Sequence, residues 1–278
     1  MTDQAAAIME GPRFSIGQVL EDSFETLLRI FPQLLAIVAI IAVPLLVWLV
    51  LGGEPILVRF AVAGGIEADT FDPVMAILIL LIGLIALEIN GAVSDATFRH
   101  LLGDAGDLLQ ALSRALLATP SLLAAWLFLA ILFGISFFML ALAAGLLSNI
   151  HWILSVIVGL PGLTGLVALM VRWCVLVPAI VIEQTNPIAG FARSSGLTEG
   201  NRWKVFALLL IVYVPEVIVK LLLLVAAPLV GLALVGVINI ALSGLFIAFN
   251  ALVTVVIYAH LRAIKEGSGT AELAEVFE

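Results

Sequence analysis

Residues 121–146 read SLLAAWLFLAILFGISFFMLALAAGL, without one charged side chain. As an α-helix such a run is about 39 Å long, enough to cross the ~30 Å hydrocarbon core of a bilayer while satisfying its own backbone N–H and C=O groups. Five further apolar runs of crossing length lie at about 33–52, 74–97, 160–182, 204–227 and 236–261. Of the 278 residues 63% are hydrophobic and 12% charged, against roughly 25% charged in a soluble domain, so a water-soluble fold could not hide the apolar surface. The expected fold is an all-α, polytopic transmembrane helical bundle of six spans. Two stretches stay open between short interfacial helices and extensions of spans: 147–160, with Trp152 as a membrane-interface anchor, and 228–236.

The first thirty residues carry Asp3, Glu10, Arg13, Glu21, Asp22, Glu25 and Arg29, which is not the basic-then-apolar opening of a cleavable signal peptide. The first run is therefore expected to stay as an anchor. Cations set the orientation, because cytoplasmic loops retain Lys and Arg. Arg13, Arg29, Arg99, Arg114, Arg193, Arg202, Lys204, Arg262 and Lys265 all fall in the termini or in the second and fourth loops, whereas the odd-numbered loops hold only Arg59. Both termini are expected in the cytoplasm, with Ala105 on the same side and Glu67 opposite.

A weak threefold repeat runs through the chain, each unit an amphipathic segment followed by two spans. In the first segment Ile16, Val19, Leu20, Phe24, Leu27, Leu28 and Phe31 recur at helical spacing, with Glu21, Asp22 and Glu25 on other faces. The second has Leu108, Leu109, Leu112 and Leu116 before Pro120, as Pro32 follows the first; the third, residues 188–197, is Ser-rich. Each segment reads either as a connector covering the inner rim of the bundle or as a docking surface for lipid or a partner protein. The expected organisation is a cytoplasmic N-terminus with an interfacial helix over 1–31, a six-helix transmembrane domain over 32–263 and an acidic cytoplasmic tail over 264–278.

The fourth loop and the last run carry a resemblance. Arg172-Trp-Cys-Val-Leu-Val-Pro-Ala-Ile-Val-Ile, then Glu183, then Phe191-Ala-Arg-Ser-Ser-Gly-Leu-Thr-Glu-Gly with Asn201-Arg-Trp-Lys, and finally Tyr258-Ala-His-Leu-Arg-Ala-Ile-Lys-Glu-Gly, resemble the membrane domain of some bacterial glycerophosphodiester phosphodiesterases and related stand-alone bacterial membrane proteins. The resemblance implies a bacterial cytoplasmic (inner) membrane location and marks Glu183, Arg193, Ser194, Gly200, Arg202, Trp203, Tyr258 and Arg262 as motif positions. That family's phosphodiesterase chemistry belongs to a separate soluble barrel, and only eleven residues follow Gly267, so no enzymatic activity is expected to carry over.

Other chemistry is hard to find. His100, His151 and His260 are isolated in sequence, and by the expected orientation His151 lies on the side opposite the other two, so no metal or other cofactor is expected. A phosphate-cradling Gly-Lys-Ser/Thr loop and a Gly-x-Ser-x-Gly elbow are both missing from the sequence. Cys174, the single cysteine, lies in an apolar run and reads as a core thiol. Gly159, Gly162 and Gly165, and Ala141 with Gly145, suit close helix packing. The formal net charge of −8 argues against nucleic acid as a partner; membrane lipids, and another membrane protein or complex, are the partners left.

Ionisable groups inside the spans are costly, roughly 2.5–3.5 kcal/mol each at a helix centre on the insertion scale. Glu88, Arg172, Glu216 and Asn250 each stand eleven or twelve residues from a flanking charge, which puts all four about 16–18 Å deep at 1.5 Å per residue. One shared polar layer is expected, with Arg172 neutralised by Glu88 or Glu216 and Lys220 paired to Glu216 four residues before it. Such a layer reads either as a paired network fixing helix register or as a substrate or proton path. Three functions follow: a non-enzymatic membrane module (scaffold, assembly factor or accessory subunit), a small secondary transporter or lipid-handling permease, and an intramembrane lipid-modifying enzyme with Glu88 as its acid.

Overall fold

A computed structural model describes residues 14–51, 73–103, 108–148 and 151–266. Every regular element among them is helical: α1 Ile16–Leu51, α2 Pro73–Leu101, α3 Leu108–Ser148, α4 Trp152–Arg172, α5 Leu176–Glu183, α6 Pro187–Thr198, α7 Arg202–Val230 and α8 Leu232–Glu266. Four stretches are long and apolar enough to cross a membrane: Leu109–Leu147, Ile153–Glu183, Arg202–Leu229 and Ala241–Glu266. These carry the last four of the six expected spans. The first two, 33–52 and 74–97, coincide with α1 and α2, but the side chains of 40–82 lie outside the described residues. Glu67, Ala105 and the tail beyond Glu266 also lie outside them.

The bundle is built on α2 and α8. Each packs against the other and against α1; α2 also packs on α3 and α5, and α8 on α7. Ile37, Ile89, Val93, Leu252, Val256 and Tyr258 are buried where they meet. A smaller cluster joins Leu87 and Leu122 to Ile180 and Val181 of α5. In the most apolar 18-residue window of α3 nothing is buried, against half of the corresponding window of α8. Apolar side chains left outside in this way are what lipid-facing positions require, since lipid tails are as apolar as leucine.

The first two amphipathic segments are not separate elements. α1 runs unbroken through Pro32 and α3 through Pro120. A proline removes one backbone bond and crowds the carbonyl four residues earlier, yet in an apolar setting every remaining helical bond is too costly to give up, so the helix continues. The 41 residues of α3 make a rod of about 60 Å, twice the hydrocarbon thickness. Only the third segment, α6, stands alone. It starts at Pro187 behind Asn186, whose Oδ1 accepts from the Ala189 N–H at 2.9 Å, and it stops before Gly200 at φ +87°, a left-handed position where glycine has no Cβ penalty.

The two open stretches become parts of the long helices. Residues 152–160 belong to α4, whose start is capped by His151 Nδ1 accepting from the Ile153 N–H at 3.3 Å; nothing is described for 149–150. Residues 228–230 end α7, 232–236 begin α8, and Gly231 alone makes the connection at φ +94°. Of the small residues expected in close helix contacts, Gly162 of α4 meets α3: a Cβ there would lie 2.5 Å from Leu140 Cδ1, whereas one at Gly145, Gly159 or Gly165 would meet nothing within 4 Å.

Candidate functional site: a charge-paired latch at one end of the bundle

The stretch expected as one span over 160–182 is broken. α4 ends at Arg172, a turn occupies 173–175, and α5 completes the stretch. A break leaves carbonyls without helical partners, and in an apolar interior those must be satisfied locally. α6 supplies the donors: the hydroxyls of Ser194 and Thr198, both fully buried, donate to the Arg172 carbonyl at 3.1 and 3.2 Å. Arg172 itself turns outward, its Nε donating to Ser195 Oγ at 2.5 Å. The serine-rich character of the third segment is thus what closes the broken helix.

After Glu183 the chain reverses through Gln184, in the left-handed region at φ 48°, and Gln184 Nε2 ties back to the Val181 carbonyl at 2.6 Å. α6 then lies hard against α5. A Cβ on Gly190 would stand 2.5 Å from Ile180 Cγ1. This close return places Arg193 over the end of α5, where its Nε donates to Glu183 Oε1 at 2.7 Å. The same oxygen accepts from the Tyr258 hydroxyl at 2.6 Å, although the two residues are 75 positions apart. The other end of Arg193 pairs with Glu266, which also holds Arg262 Nε at 2.8 Å.

Two carboxylates, two guanidiniums and a phenol therefore lock α5, α6 and α8 with no net formal charge. Partial burial works against the Arg193 cation, but the bonds and charges of Glu266 and Glu183 outweigh it and hold its pKa above the ordinary value. Of the motif positions, Glu183, Arg193, Tyr258 and Arg262 meet here, and Ser194 sits beside them on the helix break. Gly200 makes the turn that follows. Arg202 and Trp203 stand apart at the exposed start of α7, Trp203 being 82% exposed.

The same end of the bundle carries three further ties. Asp22 of α1 meets His260 Nε2 of α8 at 2.7 Å. Asp95 of α2, 2% exposed, lies 2.9 Å from Arg99 Nε and 3.3 Å from Arg114 Nη1 of α3. Lys204 Nζ donates to the Phe14 carbonyl at 2.9 Å. Each amphipathic segment thus contributes a charged residue, Asp22, Arg114 or Arg193, that grips another helix. Phe98 and Tyr258, each two residues before a histidine, stack edge to face with ring centroids 6.0 Å apart. Burial first, and the positive charge of Arg29 second, hold the His100 imidazole below its ordinary pKa.

The expected polar layer is corrected by this geometry. Glu216 pairs with Lys220 at 2.6 Å and accepts from Asn250 Nδ2 at 3.2 Å, so three members form one cluster on α7 and α8. Glu88 instead accepts from the Thr119 hydroxyl of α3 at 2.5 Å. Arg172 reaches neither carboxylate, because it closes α4 and faces Ser195. A similar count of residues from a flanking charge did not bring these residues to one azimuth. Asp22, Asp95, Thr119, Thr198 and Glu266 join the expected positions as functional contacts, and of their pairs only Asp95 with Arg99 and Arg262 with Glu266 carry a signal in the sequence, the i,i+4 spacing. Among the described residues no three His, Cys, Asp or Glu side chains converge on a cation site.

No curated protein and no solved structure matches this chain. A family described as a domain of unknown function, DUF7847, matches residues 14–264, from the first described residue, just before α1, to the latch end of α8. Covering all eight helices and every residue of the latch except Glu266, this match makes the chain a member of the DUF7847 family.

Proposed function

We propose that the chain is a non-enzymatic integral membrane module, a scaffold, assembly factor or accessory subunit, of the same type as the membrane domain of bacterial glycerophosphodiester phosphodiesterases. It has six spans in the bacterial cytoplasmic membrane, and its latched end faces the cytoplasm with both termini. One observation carries the reading. The acids and bases of the latch are spent on each other, while the outer faces of the segments they hold stay apolar and open: Leu28 is 77% exposed, Leu109 71% and Ile188 82%. That is the build of a rigid platform presenting an apolar rim. The convergence of motif residues Glu183, Arg193, Tyr258 and Arg262 supports the family resemblance, since two separate sequence motifs then serve one contact.

The permease reading draws on the Glu216–Lys220–Asn250 cluster, which lies within apolar helix. One experiment separates the two. The purified chain, sealed alone into liposomes, should pass no protons or small solutes, and a membrane partner should co-purify from native membranes in mild detergent at fixed stoichiometry and be lost in Ile188→Asp. A proton or solute flux abolished by Glu216→Gln would overturn the scaffold in favour of the permease.

A further inference from the structure

α1 packs on α2 and α8 and barely touches α7. The gap is an open cleft of about 340 Å³ between α1, α7 and α8, lined wholly by apolar side chains and proline. On its α1 wall Leu20, Phe24, Leu27, Phe31 and Leu34 recur at alternating spacings of four and three, the seam a helix normally buries against another helix. Here the seam is covered only in part: Leu34 is buried and Leu20 and Leu27 are half-buried, but the two aromatic rings stand open. Phe24 is 56% and Phe31 43% exposed.

The α7 wall leads from this cleft to a cation. Lys204, Leu208, Ile211 and Pro215 share one face of α7 by their spacing, and Ile211 and Pro215 line the cleft. Two turns toward the latched end, Lys204 bridges to the start of α1 through the Phe14 carbonyl, leaving two ammonium N–H groups for another acceptor. Arg202, the first residue of α7 and two positions before it, is exposed and joins no ion pair among the described residues. Trp203 between them is exposed, as an aromatic at headgroup level would be.

We propose that the cleft holds an acyl chain of an anionic phospholipid whose phosphate is bound by Lys204 and Arg202. Charge complementarity selects the headgroup, because a phosphate accepts charge-assisted bonds from both cations. The size of the cleft selects the tail. A helix with its side chains is roughly 10–12 Å across, too wide for an opening of this volume, whereas a single hydrocarbon chain fits it and brings no polar atom to strand. The inference goes beyond the scaffold reading and does not depend on it.

The test uses the full chain in mild detergent, with native mass spectrometry and thermal unfolding in the presence of phosphatidylglycerol or phosphatidylcholine of identical acyl chains. Phosphatidylglycerol should be retained and should stabilise more than phosphatidylcholine. Lys204→Gln and Arg202→Gln should each cut that preference roughly fivefold, as expected for one cation at a lipid headgroup, and Lys204→Arg should keep it. Leu245→Trp, at the rim of the cleft, should weaken binding of both lipids. Arg202→Gln leaves the Phe14 contact intact and so decides the matter even if Lys204→Gln folds poorly. Equal retention of the two lipids, or a preference untouched by both glutamine variants, overturns the proposal. So does a disulfide between copies of Phe24→Cys in native membranes without retained lipid, which would make the α1 seam a helix contact between two chains.

Discussion

Glu183 Oε1 takes two donors at once, a guanidinium and a phenol, from helices far apart in sequence. A hydrogen bond to a charged group contributes roughly 1.5–3 kcal/mol, and removing one partner leaves the other poorly satisfied. Arg193→Ala and Tyr258→Phe are each expected to destabilise the protein by about that amount in chemical unfolding. In the double variant the losses should add to less than their sum, because the two donors share one acceptor. Full additivity would separate the two contacts. His100 behaves differently. Its pKa is held below the ordinary value by burial and by Arg29, so the folded state disfavours the proton that the unfolded chain takes up as pH falls past about 6.5. This contribution is intact above that pH and is lost progressively below it, as pH falls toward the lowered value. His100→Asn should flatten the decline in unfolding midpoint between pH 7.5 and 5.5, and Arg29→Gln should flatten it in part.

At the scale of elements, the α4–α5 break and the α5–α6 return are what carry the latch. Asn186 caps α6 through the Ala189 N–H, and Asn186→Ala should cost about 1 kcal/mol, the usual loss of a cap. Gly190→Ala drives a methyl into Ile180 and should cost about 1–3 kcal/mol as overpacking; both are read from unfolding in detergent. Arg172 belongs to the break and not to a charge layer. Arg172→Glu should therefore gain nothing from Glu88→Arg or Glu216→Arg, while Ser194→Ala combined with Thr198→Ala, which strands the Arg172 carbonyl, should destabilise more than Arg172→Ala. Rescue by either charge swap would restore the shared layer.

Across the whole molecule, Ile188 of α6 and His151 at the start of α4 are exposed at opposite ends of the bundle. The proposed orientation puts Ile188 in the cytoplasm and His151 outside. In intact cells an impermeant thiol reagent should label His151→Cys at once, and Ile188→Cys only after the inner membrane is opened, with Cys174→Ala as the background. The reverse pattern would invert the orientation without altering the bundle.

The sequence by itself determined that this chain is helical and built for a membrane. Runs such as 121–146 are too long and too apolar for any other backbone arrangement to satisfy its own polar groups. It also determined the pair of Glu216 with Lys220, because four residues on one helix share a face whatever surrounds them. It pointed to Glu183, Arg193, Tyr258 and Arg262 as positions, without saying that they touch. Helical periodicity fixes how deep a residue lies and which residues of its own helix it neighbours, but not which way that face turns relative to the other helices. For that reason Glu88, Arg172 and Glu216, expected at one depth, went to three different partners. Only the tertiary structure decided that Pro32 and Pro120 leave their helices whole while the chain breaks at 173–175, since that depends on whether a neighbouring segment can supply donors for the freed carbonyls. Ser194 and Thr198 of α6 stand within reach of the break, and the latch assembles around them.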